Sequence, residues 1–308
     1  MTSLKARLET VRPLTRRAQL SIAWAVVATQ SLIAFTGSVV RVTGSGLACT
    51  TWPECHPGSM VPTEHPEYAA LNQWIEYGNR LFTGVVGLIA LAAFFAAFVE
   101  RPRRDRYFTL AMAMPIGVAV QAVLGGMTVR LDLLWWTVAV HLLVSALMVW
   151  LAVLLVYSVD EQDGPPLPVG PPALGRVLAA MTAVLVGLLV AGTMVTGAGP
   201  HAGDAKTPRL DLPVDVLAHV HAAFLYGFLA LLVAVGAFLV KVRSTRLWKH
   251  YAAVVVVVLA QGVLGFTQFF LGVPELLVAL HVLGAMAVIT VTAALWAAAH
   301  PRPRVERG

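Results

Sequence analysis

The chain has 308 residues, of which 58% are hydrophobic and only 12% are charged, with a formal net charge of +6 at pH 7. A soluble domain carries roughly a quarter charged residues, so this composition excludes an ordinary water-soluble protein and requires lipid to cover the apolar surface. The basic residues flank hydrophobic runs instead of forming one patch, which argues against nucleic acid as a partner.

The apolar runs are long and lack period-two alternation, which predicts membrane-spanning helices and not a barrel. Runs of about 20 uncharged residues are long enough to cross a hydrocarbon core roughly 30 Å thick. The first run follows a basic segment that resembles the start of a signal peptide, but it is too long to be a removable signal and is expected to be retained. The eight predicted helices cover residues 19–41, 74–98, 107–129, 134–157, 174–198, 214–240, 250–272 and 276–298.

The predicted loops differ in charge between the two sides of the membrane. Lysine and arginine concentrate near both termini, at 101–106 and at 241–249, whereas the opposite loops hold only four basic residues, at positions 41, 130, 206 and 209. Because cytoplasmic loops carry the excess of basic residues, both termini are expected on the cytoplasmic side of a multi-pass plasma-membrane protein.

Three short matches in the same order indicate an internal repeat. Val42-Thr43-Gly44 corresponds to Val195-Thr196-Gly197, Gln121-Ala-Val-Leu-Gly to Gln261-Gly-Val-Leu-Gly, and His141 to His281. With four helices in each half, both halves have the same orientation, so the expected fold is all-α and integral to the membrane, as two pseudo-symmetric four-helix bundles. The expected division is an N-terminal half at 1–158, a solvated cytoplasmic linker at 159–173 and a C-terminal half at 174–308.

Intramembrane histidines are the main candidates for chemistry. His141, His221 and His281 lie at one depth, a few residues inside the outer ends of three predicted helices, and Asn79 occupies the equivalent position in the second helix. A lone buried imidazole is usually a hydrogen-bond partner, but several on different helices at one depth favour a metal or haem centre. Haem is preferred because no intramembrane cysteine or second carboxylate completes a small-ion shell.

The other histidines are less informative. His219 and His221 point to faces roughly 200° apart, so only one can face the centre, and the repeat favours His221. The remaining five, at positions 56, 65, 201, 250 and 300, fall in loops or at helix ends and are expected to be solvated or interfacial.

Three further polar residues lie near the outer face. Glu76 either forms a salt bridge with Arg80, at i+4, or handles protons beside a redox centre. Cys49 and Cys55 are the only cysteines and share the first outer loop, where a disulfide is permitted. That bridge either staples the loop or exchanges electrons with a partner thiol.

Over nearly its whole length the sequence resembles the haem A synthase family of the CtaA type. The resemblance rests on the segments 40–49 and 51–55, on Glu76-Tyr77-Gly78-Asn79-Arg80, on the two Gln-x-Val-Leu-Gly segments and on the three intramembrane histidines.

The resemblance implies oxidation of the C8 methyl of haem O to a formyl group, giving haem A for terminal oxidases. It implies that the C-terminal half binds haem b through His221 and His281, and that Glu76 and His141 line a haem O site in the N-terminal half. A haem O synthase and an electron donor, either a quinol or a thiol protein, are the implied partners beside the lipid bilayer.

One position departs from the family pattern. Many members have histidine where this chain has Asn79, so haem O is expected to be held by His141 alone, with an open position on its iron. The competing interpretation is a membrane cytochrome b that carries electrons through bis-His haem. A transporter is disfavoured because the polar groups cluster near the outer face and no broken helix pair marks a midplane site.

Overall fold

Residues 12–305 are described in this computed structural model. Within them, eight helices are long and apolar enough to cross a membrane, and the only β-type pairings are two isolated bridges. The predicted all-α, eight-helix membrane fold is therefore confirmed. The N-terminal basic segment before Arg12 and the last basic residue, Arg307, lie outside the described residues. The helices are α1 (Arg16–Val42), α2 (Ala70–Phe98), α3 (Asp105–Arg130), α4 (Trp135–Ser158), α5 (Pro172–Ala198), α6 (Val214–Val242), α7 (Thr245–Phe270) and α8 (Glu275–Ala299).

Several helices begin before their predicted starts, and two of them, α2 and α7, begin about one turn earlier. Helix α7 starts at Thr245 instead of 250, because the Ser244 hydroxyl caps it by accepting a hydrogen bond from the Leu247 N–H. Helix α2 starts at Ala70 instead of 74. Hydropathy locates only the apolar part of such a helix, so its polar first turn is missed.

The apolar interior forms two cores that meet at a shared seam. One core is built mainly from α1 to α4 and the other mainly from α5 to α8. Ala293 of α8 nevertheless belongs to the first core, and Ala34 of α1 and Val149 of α4 belong to the second. Helix α8 packs directly on α1 and α4, so the two halves form one continuous body at this seam.

Equivalent helix pairs do not pack equally in the two halves. Helices α2 and α3 pack closely, whereas their counterparts α6 and α7 barely touch. Helices α1 and α4 also pack closely, whereas α5 and α8 barely touch. The C-terminal bundle is therefore the more open of the two.

The same turn joins the last two helices of each half. Leu133 and Val273 both adopt a left-handed backbone, with φ of 58° and 63°. The Leu133 N–H bonds the Thr128 carbonyl at 2.9 Å, and the Val273 N–H bonds the Gln268 carbonyl at 2.8 Å. This conformation is rare for a β-branched or bulky residue, so its repetition at the same register supports the parallel repeat inferred from the sequence.

The linker at 159–173 is attached to the C-terminal tail by backbone hydrogen bonds. The N–H groups of Gln162 and Leu167 each donate to a carbonyl of the tail at 2.7 Å, and the Val169 N–H donates to the carbonyl of the last α8 residue at 2.9 Å. Much of the linker is exposed, as expected, but Glu161 is buried and forms an ion pair with Arg106 at 2.6 Å. The expectation of a uniformly solvated linker is wrong at this residue, because the Arg106 guanidinium compensates its charge.

Candidate functional site

A disulfide between Cys49 and Cys55 closes a loop over one end of the bundle, which we call the outer end. The predicted pairing is present, and both cysteines are fully buried. The loop lies between α1 and α2 in the chain, and Trp52 from it approaches Gly126 near the end of α3. A Cβ atom on Gly126 would come within 2.7 Å of the Trp52 ring, so glycine is required for this close approach.

Glu76 and Arg80 of α2 attach this loop to the bundle. The Glu76 carboxylate is 4% exposed, and its two oxygens accept hydrogen bonds from Arg80 Nη2 at 2.5 Å and from the Cys49 N–H at 2.7 Å. The Arg80 guanidinium also donates to the carbonyls of Thr51 and Glu54, at 2.8 and 3.0 Å. The i+4 salt bridge expected from the sequence is therefore present, and it includes the cysteine loop.

His221 of α6 and His281 of α8 face each other across the C-terminal bundle. Their ring centroids are 6.4 Å apart. The His221 Nδ1 atom is hydrogen-bonded to the Leu188 carbonyl at 3.0 Å, which leaves Nε2 for another partner. The His281 Nδ1 atom is buried and has no hydrogen-bond partner among the described residues. His219 is exposed and bonds the Asp215 carbonyl of its own helix, so of the two neighbouring histidines only His221 is directed at His281.

Neighbouring residues hold these rings in place. The Gln261 side-chain amide donates to the His281 carbonyl at 2.8 Å. A Cβ atom on Gly265 would lie 3.0 Å from His281 Cε1, and one on Gly192 would lie 3.1 Å from His221 Cε1. Small residues therefore leave the space that the two imidazoles fill.

The N-terminal bundle repeats this arrangement around a single histidine. The Gln121 amide donates to the His141 carbonyl at 3.2 Å and to the Ser145 hydroxyl at 2.5 Å. The His141 Nδ1 atom is buried without a hydrogen-bond partner among the described residues. Asn79 does not supply a second imidazole, and its Oδ1 atom instead accepts a hydrogen bond from the Thr36 hydroxyl at 2.7 Å.

The C-terminal pair fits a haem. Metal–imidazole bonds of about 2.0–2.1 Å on opposite sides of one iron place the two ring centres roughly 6 Å apart, close to the separation observed. The orphaned Nδ1 atom of His281 is the sort of buried polar atom that a missing partner explains. Within residues 12–305 no cluster of three or more histidine, cysteine, aspartate or glutamate side chains could hold a small metal ion. The donor set therefore suits an axial haem pair better than a bare ion.

The structure corrects the interpretation of one other histidine. His56, expected to be solvated or interfacial, is buried, with Thr50 on one ring nitrogen and Gln73 on the other, at 3.1 and 2.8 Å. His250, for which the same expectation was made, is half-buried near the start of α7 and bonds the Tyr157 hydroxyl at 2.7 Å. Sequence reasoning also missed the supporting role of Gln121 and Gln261, although each stands 20 residues before its histidine, which is a signal that could have revealed it.

The chain matches the family model for the COX15-CtaA cytochrome oxidase assembly protein over residues 21–293. It is similar to a heme A synthase from Geobacillus thermodenitrificans, with 29% identity over 44% of this chain and 41% of that protein. A heme A synthase from Exiguobacterium sibiricum is 29% identical over 56% of this chain and 55% of its own length.

The chain thus spans about half the length of these two curated relatives. A heme A synthase from Halalkalibacterium halodurans is matched more fully, with 25% identity over 79% of this chain and 81% of that protein. The family match covers all eight helices at least in part and contains every candidate site residue. The chain belongs to the COX15-CtaA family of cytochrome oxidase assembly proteins.

Proposed function

We propose that this chain is a haem A synthase, which oxidises the C8 methyl of haem O to a formyl group in the plasma membrane, with both termini cytoplasmic. The observation that carries the proposal is that its two halves share one Gln–His arrangement but only the C-terminal half completes an imidazole pair. A complete pair suits a permanent cofactor, and an incomplete pair suits a substrate. The relatives' names supply the reaction.

The C-terminal half is proposed to hold haem b through His221 and His281. Leu188 fixes the orientation of the His221 ring through its Nδ1 atom, and Gln261 fixes the backbone of His281. A hydrogen bond to the second ring nitrogen, as at His221, orients a ligand and makes it more basic. A haem b held by these two histidines would supply one-electron transfer and not oxygen chemistry.

The N-terminal half is proposed to receive haem O as substrate, with His141 as its one imidazole ligand. By the internal repeat, Asn79 would take the place that His221 has in the C-terminal half, and its amide oxygen is already engaged by Thr36. An amide is a poor haem ligand, so the second axial position of the substrate iron stays open. An open position is the condition for oxygen chemistry at haem.

Glu76 is proposed to move protons during the successive hydroxylations, or to stabilise a positively charged intermediate, because each hydroxylation by oxygen takes up two electrons and two protons from a donor and releases one water. Each hydroxylation replaces a C–H bond with a C–O bond, and loss of water from the doubly hydroxylated carbon gives the formyl group. The carboxylate is buried in α2 on the outer side of Asn79, and Arg80 and the Cys49 N–H stabilise its charged form. The same contacts would orient the carboxylate and exclude bulk water from it.

The electrons come from outside the chain, and a quinol or a thiol protein is the proposed class of donor. Cys49, which is disulfide-bonded to Cys55, contacts the Glu76–Arg80 pair through its backbone, so a thiol donor would act next to the residue proposed to move protons. A haem O synthase is the proposed source of the substrate. The disulfide either exchanges electrons during turnover or staples the loop.

The decisive experiment is expression of the full chain beside a haem O source, followed by haem extraction and mass analysis. We expect the formyl product to accumulate. Recovery of haem O alone, together with a low-spin bis-His spectrum, would instead indicate a cytochrome b electron carrier.

A further inference from the structure

A cavity of about 500 Å³ opens at the inner end of the bundle, opposite the cysteine loop. Its walls come from both halves of the protein: α1 and the end of α4 on one side, and the start of α7 and the C-terminal tail on the other. It lies at the opposite end of the bundle from the Glu76 site and is lined by none of the proposed haem-ligating histidines, so it is not part of the proposed haem chemistry.

The rim of this cavity carries excess positive charge. Four arginines line it, against the two carboxylates of Asp160 and Glu161. Asp160 forms a bidentate ion pair with Arg16 at 2.6 Å, and Glu161 is paired with Arg106. Among the described residues, the other three cavity arginines, at positions 246, 302 and 304, form no ion pair. The rim is therefore complementary to an anion.

The deeper part of the cavity is apolar. Arg16, Leu20 and Trp24 are four residues apart, so they lie on one face of α1 and extend about 12 Å along its axis from the charged rim. Val156 and Tyr157 of α4 form the facing wall. The Trp24 side chain is 49% exposed, and tryptophan and tyrosine are typical of the membrane–water interface.

Tyr157 is held in position by residues of the other half. Its hydroxyl bonds His250 Nε2 at 2.7 Å, and the Arg246 guanidinium lies 6.0 Å from its ring centroid. A positively charged rim above an apolar, aromatic groove matches the shape of one lipid, with an anionic headgroup above and an acyl chain below.

We propose that this cavity binds one anionic phospholipid of the inner leaflet, whose phosphate contacts Arg246 and Arg304 and whose acyl chain lies along Leu20 and Trp24. The bound lipid would bridge α1 of the N-terminal half to α7 and the tail of the C-terminal half. A soluble phosphate would satisfy the rim but would make no use of the apolar wall.

The test uses the full chain purified in detergent, with native mass spectrometry to count retained lipids after addition of phosphatidylglycerol or phosphatidylcholine of equal chain length. The variant Arg246→Gln/Arg304→Gln removes two rim charges, and Arg101→Gln/Arg103→Gln removes two charges from the same face outside the cavity. We expect the first variant to lose roughly tenfold in affinity for phosphatidylglycerol and the control to keep it. Thermal unfolding of each variant checks that the fold is intact.

A second variant separates lipid from soluble anion. Trp24→Ala leaves every charge in place, and we expect it to weaken phosphatidylglycerol retention while addition of inorganic phosphate fails to displace the lipid. Equal counts of retained phosphatidylglycerol in the wild type and the rim variant would overturn the proposal. That result would instead favour an acidic protein as the partner of the charged rim. Displacement by millimolar phosphate, with no effect of Trp24→Ala, would overturn it in favour of a free anion.

Discussion

The two halves of this protein hold the same histidine in the same way but provide it with different partners. In the N-terminal half, the carbonyl of His141 accepts from Gln121, and Asn79 bonds Thr36. In the C-terminal half, the carbonyl of His281 accepts from Gln261, and His221 faces it across the bundle. The shared scaffold fixes where one imidazole stands, and the second helix of each half carries Asn79 in one case and His221 in the other.

Helix packing also differs between the two halves. The C-terminal half, which has the two facing histidines, is loosely packed between α6 and α7 and between α5 and α8. The equivalent pairs of the N-terminal half, α2 with α3 and α1 with α4, pack closely. A planar cofactor held between two imidazoles needs space between helices, which the C-terminal half provides. The difference supports the proposal that the C-terminal half holds the permanent haem.

Removing an imidazole from the complete pair is expected to have the largest effect. His281→Ala should abolish the six-coordinate low-spin haem spectrum of the purified protein, because one axial ligand is lost. Absorption and electron paramagnetic resonance spectra measure this. His219→Ala is the matched control, since that exposed ring bonds only its own helix. A low-spin spectrum that survives in His281→Ala would remove the proposed ligand pair.

Removing the carboxylate from the incomplete site comes next. Glu76→Gln should lower formation of haem A by roughly a hundredfold or more, the usual effect of losing a general acid–base group, while the low-spin spectrum persists. Product analysis with a haem O source gives the rate. Glu67→Gln serves as the control, because Glu67 is an exposed carboxylate of the same outer region. Normal turnover in Glu76→Gln would show that this residue only holds the cysteine loop in place.

Making the two halves alike tests the comparison directly. Asn79→His should add a second low-spin signal when haem O is bound and should suppress most of the activity, because two imidazoles block the open position. Thr36→Val is the control, since it removes the hydrogen bond to Asn79 without adding a ligand. If Asn79→His kept the spin state and the full activity of the wild type, the difference between Asn79 and His221 would have no role in the reaction.

The supporting glutamines should have smaller and separable effects. Gln261→Ala should weaken haem b retention by about tenfold, as expected for loss of a group that orients a ligand, whereas Gln121→Ala should slow turnover and leave haem b in place. Haem content per chain and product formation distinguish the two. Identical behaviour of both variants would show that the glutamines support the fold and not a particular site.

The smallest effect concerns the surface contact between the outer loops of the two halves. The Lys206 ammonium hydrogen-bonds Glu67 at 3.0 Å and lowers the pKa of that carboxyl from its ordinary value of 4.5. A lowered folded-state pKa stabilises the protein above the unfolded value, and this contribution is lost as the pH falls through the folded value. Lys206→Gln should therefore slightly reduce the loss of Tm between neutral and acidic pH. Both side chains are exposed, so a large change would contradict this account.

Much of this architecture could be predicted from the sequence because lipid leaves few alternatives. Each span must satisfy its own backbone, so uninterrupted apolar runs predicted eight helices, and the repeat predicted that His141 and His281 occupy equivalent positions. The helix starts at Ala70 and Thr245 were missed, because polar first turns do not register in hydropathy.

The finer contacts depend on chain packing that no local pattern encodes. The burial of His56 requires Gln73 from α2 to meet it, and the Glu76 contact with the Cys49 N–H requires the loop to fold down onto α2. The unequal helix packing of the two halves could not be predicted either, because the equivalent helices look alike in sequence. The burial of His56, the Glu76 contact and the unequal packing are all determined by tertiary packing.

The left-handed turns at Leu133 and Val273 have a consequence for the protein's history. Neither residue is a glycine, so each copy of the turn adopts an unfavourable backbone that its surroundings must hold in place. Two unrelated hairpins would rarely arrive at the same costly solution at the same register. The turns therefore point to a single ancestral four-helix unit that was duplicated and fused. The two copies now differ at Asn79 and His221, while both have the same turn.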